Sequence, residues 1–153
     1  SIQSKGAALL LDGRVDLVAR GGADGAHLGD IADFTAALAT LKPERIAGAG
    51  GLASRHDAML AAEQGADYVM FGEPDPLGKC PAFAAVEERI AWWAEVFEAP
   101  CVGYSDSLET IASLVAAGAD FVALGNAAWR EPDSIAETLR EAGSSLRLPE
   151  SAT

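Results

Sequence analysis

The sequence contains few cysteines, few basic residues and no long apolar run, and each shortage excludes a class of protein. Cys80 and Cys101 are isolated and lack metal-ligand spacing, which suits a reduced, cytoplasmic compartment. The 11 Lys and Arg residues face 23 Asp and Glu, and the net charge of -12 argues against nucleic acid or an anionic membrane surface as a partner. No run of about 18 apolar residues occurs, so no membrane span is expected. The first residues also lack the basic-then-apolar pattern of a signal peptide.

A Gly-Ala-Asp motif, followed by mostly apolar residues and a second glycine, occurs three times in the chain. The copies are residues 22–29, 65–72 and 118–125, and an amphipathic stretch precedes each of them. This pattern predicts the end of a helix, a glycine in the left-handed conformation, a short buried strand and a glycine at a sharp turn. Repeats of a helix and a strand predict a parallel sheet covered by helices.

The rest of the chain alternates in the same way, which predicts about six β/α units in all. Strands are predicted at residues 7–11, 24–28, 46–47, 67–71, 100–104 and 120–124. Helices are predicted at residues 14–20, 31–41, 54–64, 83–97, 107–117 and 134–142. Ser54 and Ser107 are expected to cap helices, with Asp57 completing a capping box. We interpret residues 1–143 as one domain and residues 144–153 as a polar tail.

The tryptophans fall into two groups. Trp93 lies on the apolar face of the helix predicted at residues 83–97, so it is expected in the core. Trp92 and Trp129 fall off that face. Two interpretations stay open for them, namely partial burial within the fold or a contact surface of a homo-oligomer.

Taken together, the repeats resemble the thiamine phosphate synthase family, which includes the related thiazole tautomerases. Residues 11–17 (Leu-Asp-Gly-Arg-Val-Asp-Leu) and the three Gly-Ala-Asp copies carry the resemblance, which extends over about residues 9–142. It implies a TIM (β/α)8 barrel, here represented by about six units, because the first predicted strand aligns with the third strand of the barrel. It also implies a transferase of thiamine biosynthesis that joins an aminopyrimidine diphosphate to a thiazole phosphate and releases pyrophosphate.

The resemblance implies functional residues on the loops that follow the strands. A dissociating diphosphate needs a divalent cation and a basic residue to take up negative charge. The family's Mg²⁺ positions correspond to Gly13 and Ala32 here, and the nearby carboxylates Asp12 and Asp30 are the expected metal ligands. The resemblance implies catalytic roles for Lys79 and His27, with a solvated loop lysine and a structural histidine as the alternatives. It places the phosphate of the small substrate at Gly103, Ser105, Gly125 and Asn126.

Some family positions differ here, and these differences leave other functions open. The family's Ser-x-His-Thr segment corresponds to residues 48–54, which contain no histidine. Glu73, Asp75, Asp106 and Glu131 add negative charge near the expected phosphate site. One alternative is a divergent barrel that serves as a ligand-binding or regulatory protein. The other is a metal-independent enzyme of the thiazole tautomerase type. Diphosphate affinity and Mg²⁺ dependence distinguish these functions.

Overall fold

The computed structural model describes residues 2–129 and 135–146. They form two compact units, of which the first ends at Met70 and the second begins at Phe71. Both units alternate strands with helices, as the repeats predict. Within the described residues, no helix has both the length and the apolar character needed to cross a membrane.

The first unit is a parallel sheet with helices in the connections. Its strands are β1 (Leu10–Asp12), β2 (Gly25–Leu28), β3 (Ile46–Ala49) and β4 (Tyr68–Phe71), the last of which reaches the boundary between the units. A 3-10 turn (Gln3–Lys5) precedes them, and the helices are α1 (Val15–Gly21), α2 (Ile31–Leu41) and α3 (Arg55–Glu63). Successive strands pair in parallel, with Leu10 opposite Gly25 and Gly25 opposite Ile46.

The second unit continues the same alternation. Its elements are α4 (Phe83–Val96), β5 (Cys101–Ser105), α5 (Ile111–Ala117), β6 (Phe121–Leu124) and α6 (Ile135–Ser145). Two 3-10 turns, Leu108–Thr110 and Asn126–Trp129, follow β5 and β6. The two strands pair in parallel from Val102 opposite Phe121 to Ser105 opposite Leu124.

The parallel α/β prediction is confirmed by the six strands of the described residues, whereas the eight-unit barrel stays a prediction. Strand β1 begins at Leu10 rather than at residue 7, because its partner β2 begins only at Gly25. The last helix ends at Ser145, beyond the boundary drawn at residue 143. Residues 130–134 and 147–153, which include Glu131 and most of the expected tail, lie outside the described residues.

The glycine that opens each repeat has the predicted left-handed conformation. Gly22, Gly65 and Gly118 have φ angles of 68°, 93° and 108°. Gly22 and Gly118 end α1 and α5. An L-residue with a side chain would be strained at these angles, which explains why glycine occupies all three positions.

The repeated aspartate joins neighbouring strands at their amino ends. Asp24 bonds to both backbone groups of Leu9: its N–H donates to Leu9 O at 2.8 Å, and its Oδ2 accepts from Leu9 N at 2.7 Å. Asp67 makes the same pair of bonds with Ala47, at 2.9 and 2.8 Å, and Asp120 makes it with Cys101, at 3.0 and 2.9 Å. The motif aspartate is therefore a structural residue in each copy.

The cores of the two units consist of apolar residues from the strands and helices. Trp93 is fully buried, as predicted, and its Nε1 donates to Ala99 O at 2.7 Å. Trp92 is half-buried against Phe97, and Trp129 is half-buried with Nε1 donating to Leu124 O at 3.1 Å. Partial burial of both rings fits the first of the two interpretations, and the homo-oligomer stays a prediction.

Both predicted capping residues form capping hydrogen bonds. Ser54 caps α3 and forms a reciprocal capping box with Asp57. Ser107 caps the 3-10 turn Leu108–Thr110, which leads directly into α5. The segment predicted as one helix from residue 107 is thus divided into a 3-10 turn and a short α-helix.

Candidate functional site

A row of four residues crosses the sheet of the first unit, from the last residue of β1 to the first residue of β4. The parallel register places Asp12 beside His27, His27 beside Gly48 and Gly48 beside Tyr68. Because residues in lateral register point to the same face of a sheet, the side chains of this row share one face. We call these four residues the His27 row.

His27 and Tyr68 contact each other across the glycine that separates them. Their rings are stacked, with an interplanar angle of 5° and centroids 5.8 Å apart, and His27 Nδ1 lies 2.9 Å from the Tyr68 hydroxyl. A Cβ on Gly48 would collide with the Tyr68 ring and hydroxyl. Because Gly48 has no side chain, the hydrogen bond between His27 of β2 and Tyr68 of β4 can cross β3.

The pair is suited to holding an imidazole in one orientation and to proton exchange. Both side chains are half-buried, and either His27 Nδ1 or the Tyr68 oxygen can be the donor, according to the histidine tautomer. Sequence reasoning selected His27 but missed Tyr68. The signal that could have found it was the Gly-Ala-Asp-Tyr sequence of the second repeat, together with the β3 glycine.

The two predicted metal ligands have different surroundings. Asp12 ends β1 with an exposed side chain, in the His27 row. Asp30 caps α2, and its Oδ1 accepts from Asp33 N at 2.7 Å. Within residues 2–129 and 135–146, no three His, Cys, Asp or Glu side chains are grouped so as to hold a metal ion. Mg²⁺ commonly uses one or two carboxylates with substrate phosphates, so the donor types fit a site that a substrate completes.

Lys79 lies in an ordered loop of the second unit. Asp75 Oδ1 accepts from the backbone N–H groups of Leu77 and Lys79, each at 2.9 Å, and Gly78 turns the chain with a φ angle of 80°. The Lys79 side chain is exposed. In the part of the chain that the structure describes, its ammonium group forms no ion pair, so it is available to an anion.

The four residues expected to bind phosphate do not have equivalent environments. Gly103 packs against α4 and α5, since a Cβ there would lie 3.0 Å from Ile90 and 3.2 Å from Leu114. Ser105 is buried, and its Oγ donates to Ser107 O at 2.5 Å and contacts the Thr110 hydroxyl. Gly125 N donates to Ser105 O at 2.8 Å, and Asn126 is exposed at the start of a 3-10 turn. Their role in binding phosphate stays a prediction.

A second polar cluster, which sequence reasoning did not predict, follows β5. The Tyr104 hydroxyl donates to Asp106 Oδ1 at 2.9 Å, and the Cys80 thiol donates to Asp106 Oδ2 at 3.6 Å. Burial and the bond to Asp106 raise the pKa of Tyr104 to about 12. The same two causes raise the pKa of the exposed Cys80 thiol. We call Cys80, Tyr104 and Asp106 the Asp106 cluster.

Alternating strands and helices define a parallel α/β protein, in which Asp30, Asp106 and Asn126 follow the carboxyl ends of strands. Residues 1–128 match the sequence model of a family described as thiamine monophosphate synthase. The chain therefore belongs to the thiamine phosphate synthase family, and the resemblance seen in the repeats is confirmed.

Individual relatives agree with this assignment. The chain is 41% identical over 134 residues to a thiamine-phosphate synthase of Rhodospirillum centenum, which covers 86% of this chain and 65% of the relative. It is 38% identical over 141 residues to that of Hyphomonas neptunium, covering 90% and 64%. The chain thus spans slightly less than two thirds of the length of these relatives.

A solved structure shares the fold. Thiamine phosphate pyrophosphorylase from Pyrococcus furiosus superposes with a TM-score of 0.72 at 23% identity, and the match covers 95% of this chain and 72% of that one. At this identity the likeness concerns the fold alone.

Proposed function

We propose that this chain takes part in a thiamine phosphate synthase reaction, in which an aminopyrimidine diphosphate is joined to a thiazole phosphate and pyrophosphate is released. The observation that carries the proposal is the family match over residues 1–128, which contain both the His27 row and the Asp106 cluster. In this reaction the carbon–oxygen bond to the diphosphate breaks, a carbon–nitrogen bond to the thiazole forms, and the leaving group takes up negative charge.

Lys79 is the residue that we propose for the leaving diphosphate. Its exposed ammonium group has no ion pair among the described residues, and Asp75 fixes the backbone of its loop. A positive charge at this position stabilises the charge that develops on the departing oxygen. Asp12 and Asp30 would hold Mg²⁺ together with diphosphate oxygens, and the ion would neutralise part of the diphosphate charge.

His27 is proposed to contact the substrate from the sheet of the first unit. The Tyr68 hydroxyl at Nδ1 fixes the plane of the imidazole. A small phosphorylated substrate and a cytoplasmic location belong to the same proposal, and both cysteines are free thiols, as that compartment requires.

Calorimetric titration of the full-length protein with pyrophosphate, with and without Mg²⁺, tests the proposal. Binding that requires Mg²⁺ and is lost in Lys79→Ala is the expected result. Lys5→Ala is the matched control, because Lys5 is also exposed but lies in the 3-10 turn at residues 3–5. Absence of binding under both conditions would contradict synthase chemistry.

One observation favours a second function, the metal-independent tautomerase. A histidine and a phenol joined by a hydrogen bond of 2.9 Å can pass a proton, which is the step that a tautomerase performs. Such an enzyme would bind a thiazole without Mg²⁺ and would lose turnover in His27→Ala, whereas Lys79→Ala would leave its turnover unchanged.

A further inference from the structure

The hydrogen bond between His27 and Tyr68 has two possible donors. With Nδ1 and the hydroxyl oxygen 2.9 Å apart, the bond is either O–H···Nδ1 or Nδ1–H···O. The choice also decides the state of the second ring nitrogen, because a neutral imidazole carries one proton. In the first arrangement Nε2 is an N–H donor, and in the second it is a lone-pair acceptor.

The chemistry of the two groups favours the first arrangement. The unprotonated nitrogen of an imidazole is a far stronger base than the oxygen of a phenol, whose lone pair is shared with its ring. A phenol is in turn the more acidic donor of the two. The O–H···Nδ1 bond therefore pairs the better donor with the better acceptor.

The sheet holds the hydroxyl at Nδ1 through three strands. Gly48 of β3 separates the two residues, and a Cβ on it would collide with the Tyr68 oxygen. The two ring planes are parallel to within 5°, and both side chains are half-buried. A hydrogen bond shielded in this way competes less with water than one between exposed side chains. The contact is thus a built feature of the fold, and its effect on the imidazole is lasting.

We infer that Tyr68 is a positioning residue that holds His27 in its Nε2–H tautomer, so that His27 offers the substrate a hydrogen-bond donor and not a base. The inference rests on the proposed function, because it specifies how His27 meets the substrate of that reaction. Diphosphate oxygens and pyrimidine nitrogens are acceptors, which suit an N–H. A tautomerase that removes a proton through Nε2 would need a lone pair there, so the inference favours the synthase of the two functions.

Nitrogen NMR of the full-length protein tests the tautomer, since the chain contains only two histidines, His27 and His56. Histidine labelled with ¹⁵N in the ring is incorporated, and spectra are recorded at about pH 8.5, where an ordinary histidine is neutral. His56 is exposed near the start of α3 and serves as the internal reference, and His56→Gln assigns the signals. We expect the share of the Nδ1–H tautomer to be about fivefold lower at His27 than at His56, the factor that one ordinary hydrogen bond supplies.

Tyr68→Phe keeps the ring and removes only the hydroxyl. In this variant the share of the Nδ1–H tautomer at His27 should rise to the value found at His56. A proton on Nδ1 in the wild type, or an equal share in the wild type and Tyr68→Phe, would overturn the inference.

Turnover separates the inference from the proposed reaction. Tyr68→Phe should lower kcat/KM about fivefold in the wild type, because the imidazole is then free to turn and to change tautomer. It should have no effect in a His27→Gln background, whose amide offers a donor that needs no tautomer. An equal loss in both backgrounds would contradict a role through His27. No turnover in the wild type, with the tautomer fixed, would refute the synthase reaction and leave the assignment of the proton standing.

Discussion

Gly48 is the position where a single methyl group tests the geometry of the His27 row. In Gly48→Ala the new Cβ would fall on the Tyr68 ring and hydroxyl, closer than real contacts allow. Tyr68 must then swing away from β3, and its 2.9 Å bond to His27 is lost. The backbone at Gly48 needs no left-handed conformation, so the effect comes from the collision alone.

The expected loss of stability comes from the displaced tyrosine. Tyr68 is half-buried and the new Cβ meets the far end of its side chain, so the ring moves and the hydrogen bond to His27, worth about 1 kcal/mol, is lost together with the ring stacking, worth about 0.5–1.5 kcal/mol. The smaller conformational freedom of alanine in the unfolded chain offsets about 0.4–1 kcal/mol of this loss. We therefore expect the free energy of unfolding of Gly48→Ala to fall by about 1 kcal/mol.

Urea unfolding followed by circular dichroism measures this loss, and two matched variants identify its cause. Gly21→Ala adds the same methyl group in α1, where a Cβ meets nothing within 4 Å, and should be neutral or slightly stabilising. In a Tyr68→Ala background the Gly48→Ala change should cost little, because the ring that it strikes is gone. An equal loss in both backgrounds, or no loss in the wild type, would refute the stacked arrangement.

Three further predictions concern the repeated aspartates and Tyr104. Asp120→Ala should lower the free energy of unfolding by about 1–2 kcal/mol in urea, because the buried N–H of Cys101 loses its carboxylate partner. Hydrogen bonds from Leu9 N–H and the Gln3 side-chain amide hold the pKa of Asp24 below its ordinary value of 3.8. The stabilisation by the Asp24 carboxylate is therefore present above pH 3.8 and is lost as the pH falls further. In Asp24→Asn, the free energy of unfolding should depend less on pH in this acidic range. The pKa of Tyr104 is raised from 10.0 to about 12, so the stabilisation by its protonated hydroxyl is present below pH 10.0 and is lost as the pH rises toward 12. In Tyr104→Phe, the free energy of unfolding should no longer fall over this alkaline range.

Local patterns were enough to predict the elements and their caps. The positions of Gly22, Gly65 and Gly118, the capping box of Ser54 and the buried Trp93 all depend on residues within a few positions of one another. Helix α2 has the predicted bounds, because Phe34, Leu38 and Leu41 form one apolar face and the Lys42-Pro43 sequence breaks the helix after Leu41. Such signals need no knowledge of strand order.

The candidate site depends on contacts between distant residues, which local patterns do not contain. His27 and Tyr68 are 41 positions apart, and their contact requires the register of three strands and a glycine in the middle one. Asp30 shows a different limitation. The resemblance placed a metal ion there, while the structure adds a capping bond to Asp33 N that the Asp-x-x-Asp sequence before an apolar run could have indicated.

The repeats explain why the fold was easier to predict than the chemistry. Their shared residues, glycine and aspartate, lie at the amino ends of the strands, where the aspartates join neighbouring strands. The residues that follow the closing glycines lie at the carboxyl ends and differ in each copy: Asp30, Glu73 and Asn126. Function in parallel α/β proteins resides at those carboxyl ends. A pattern that repeats in all three copies therefore identifies the scaffold, and the specificity of this chain must be sought where the copies diverge.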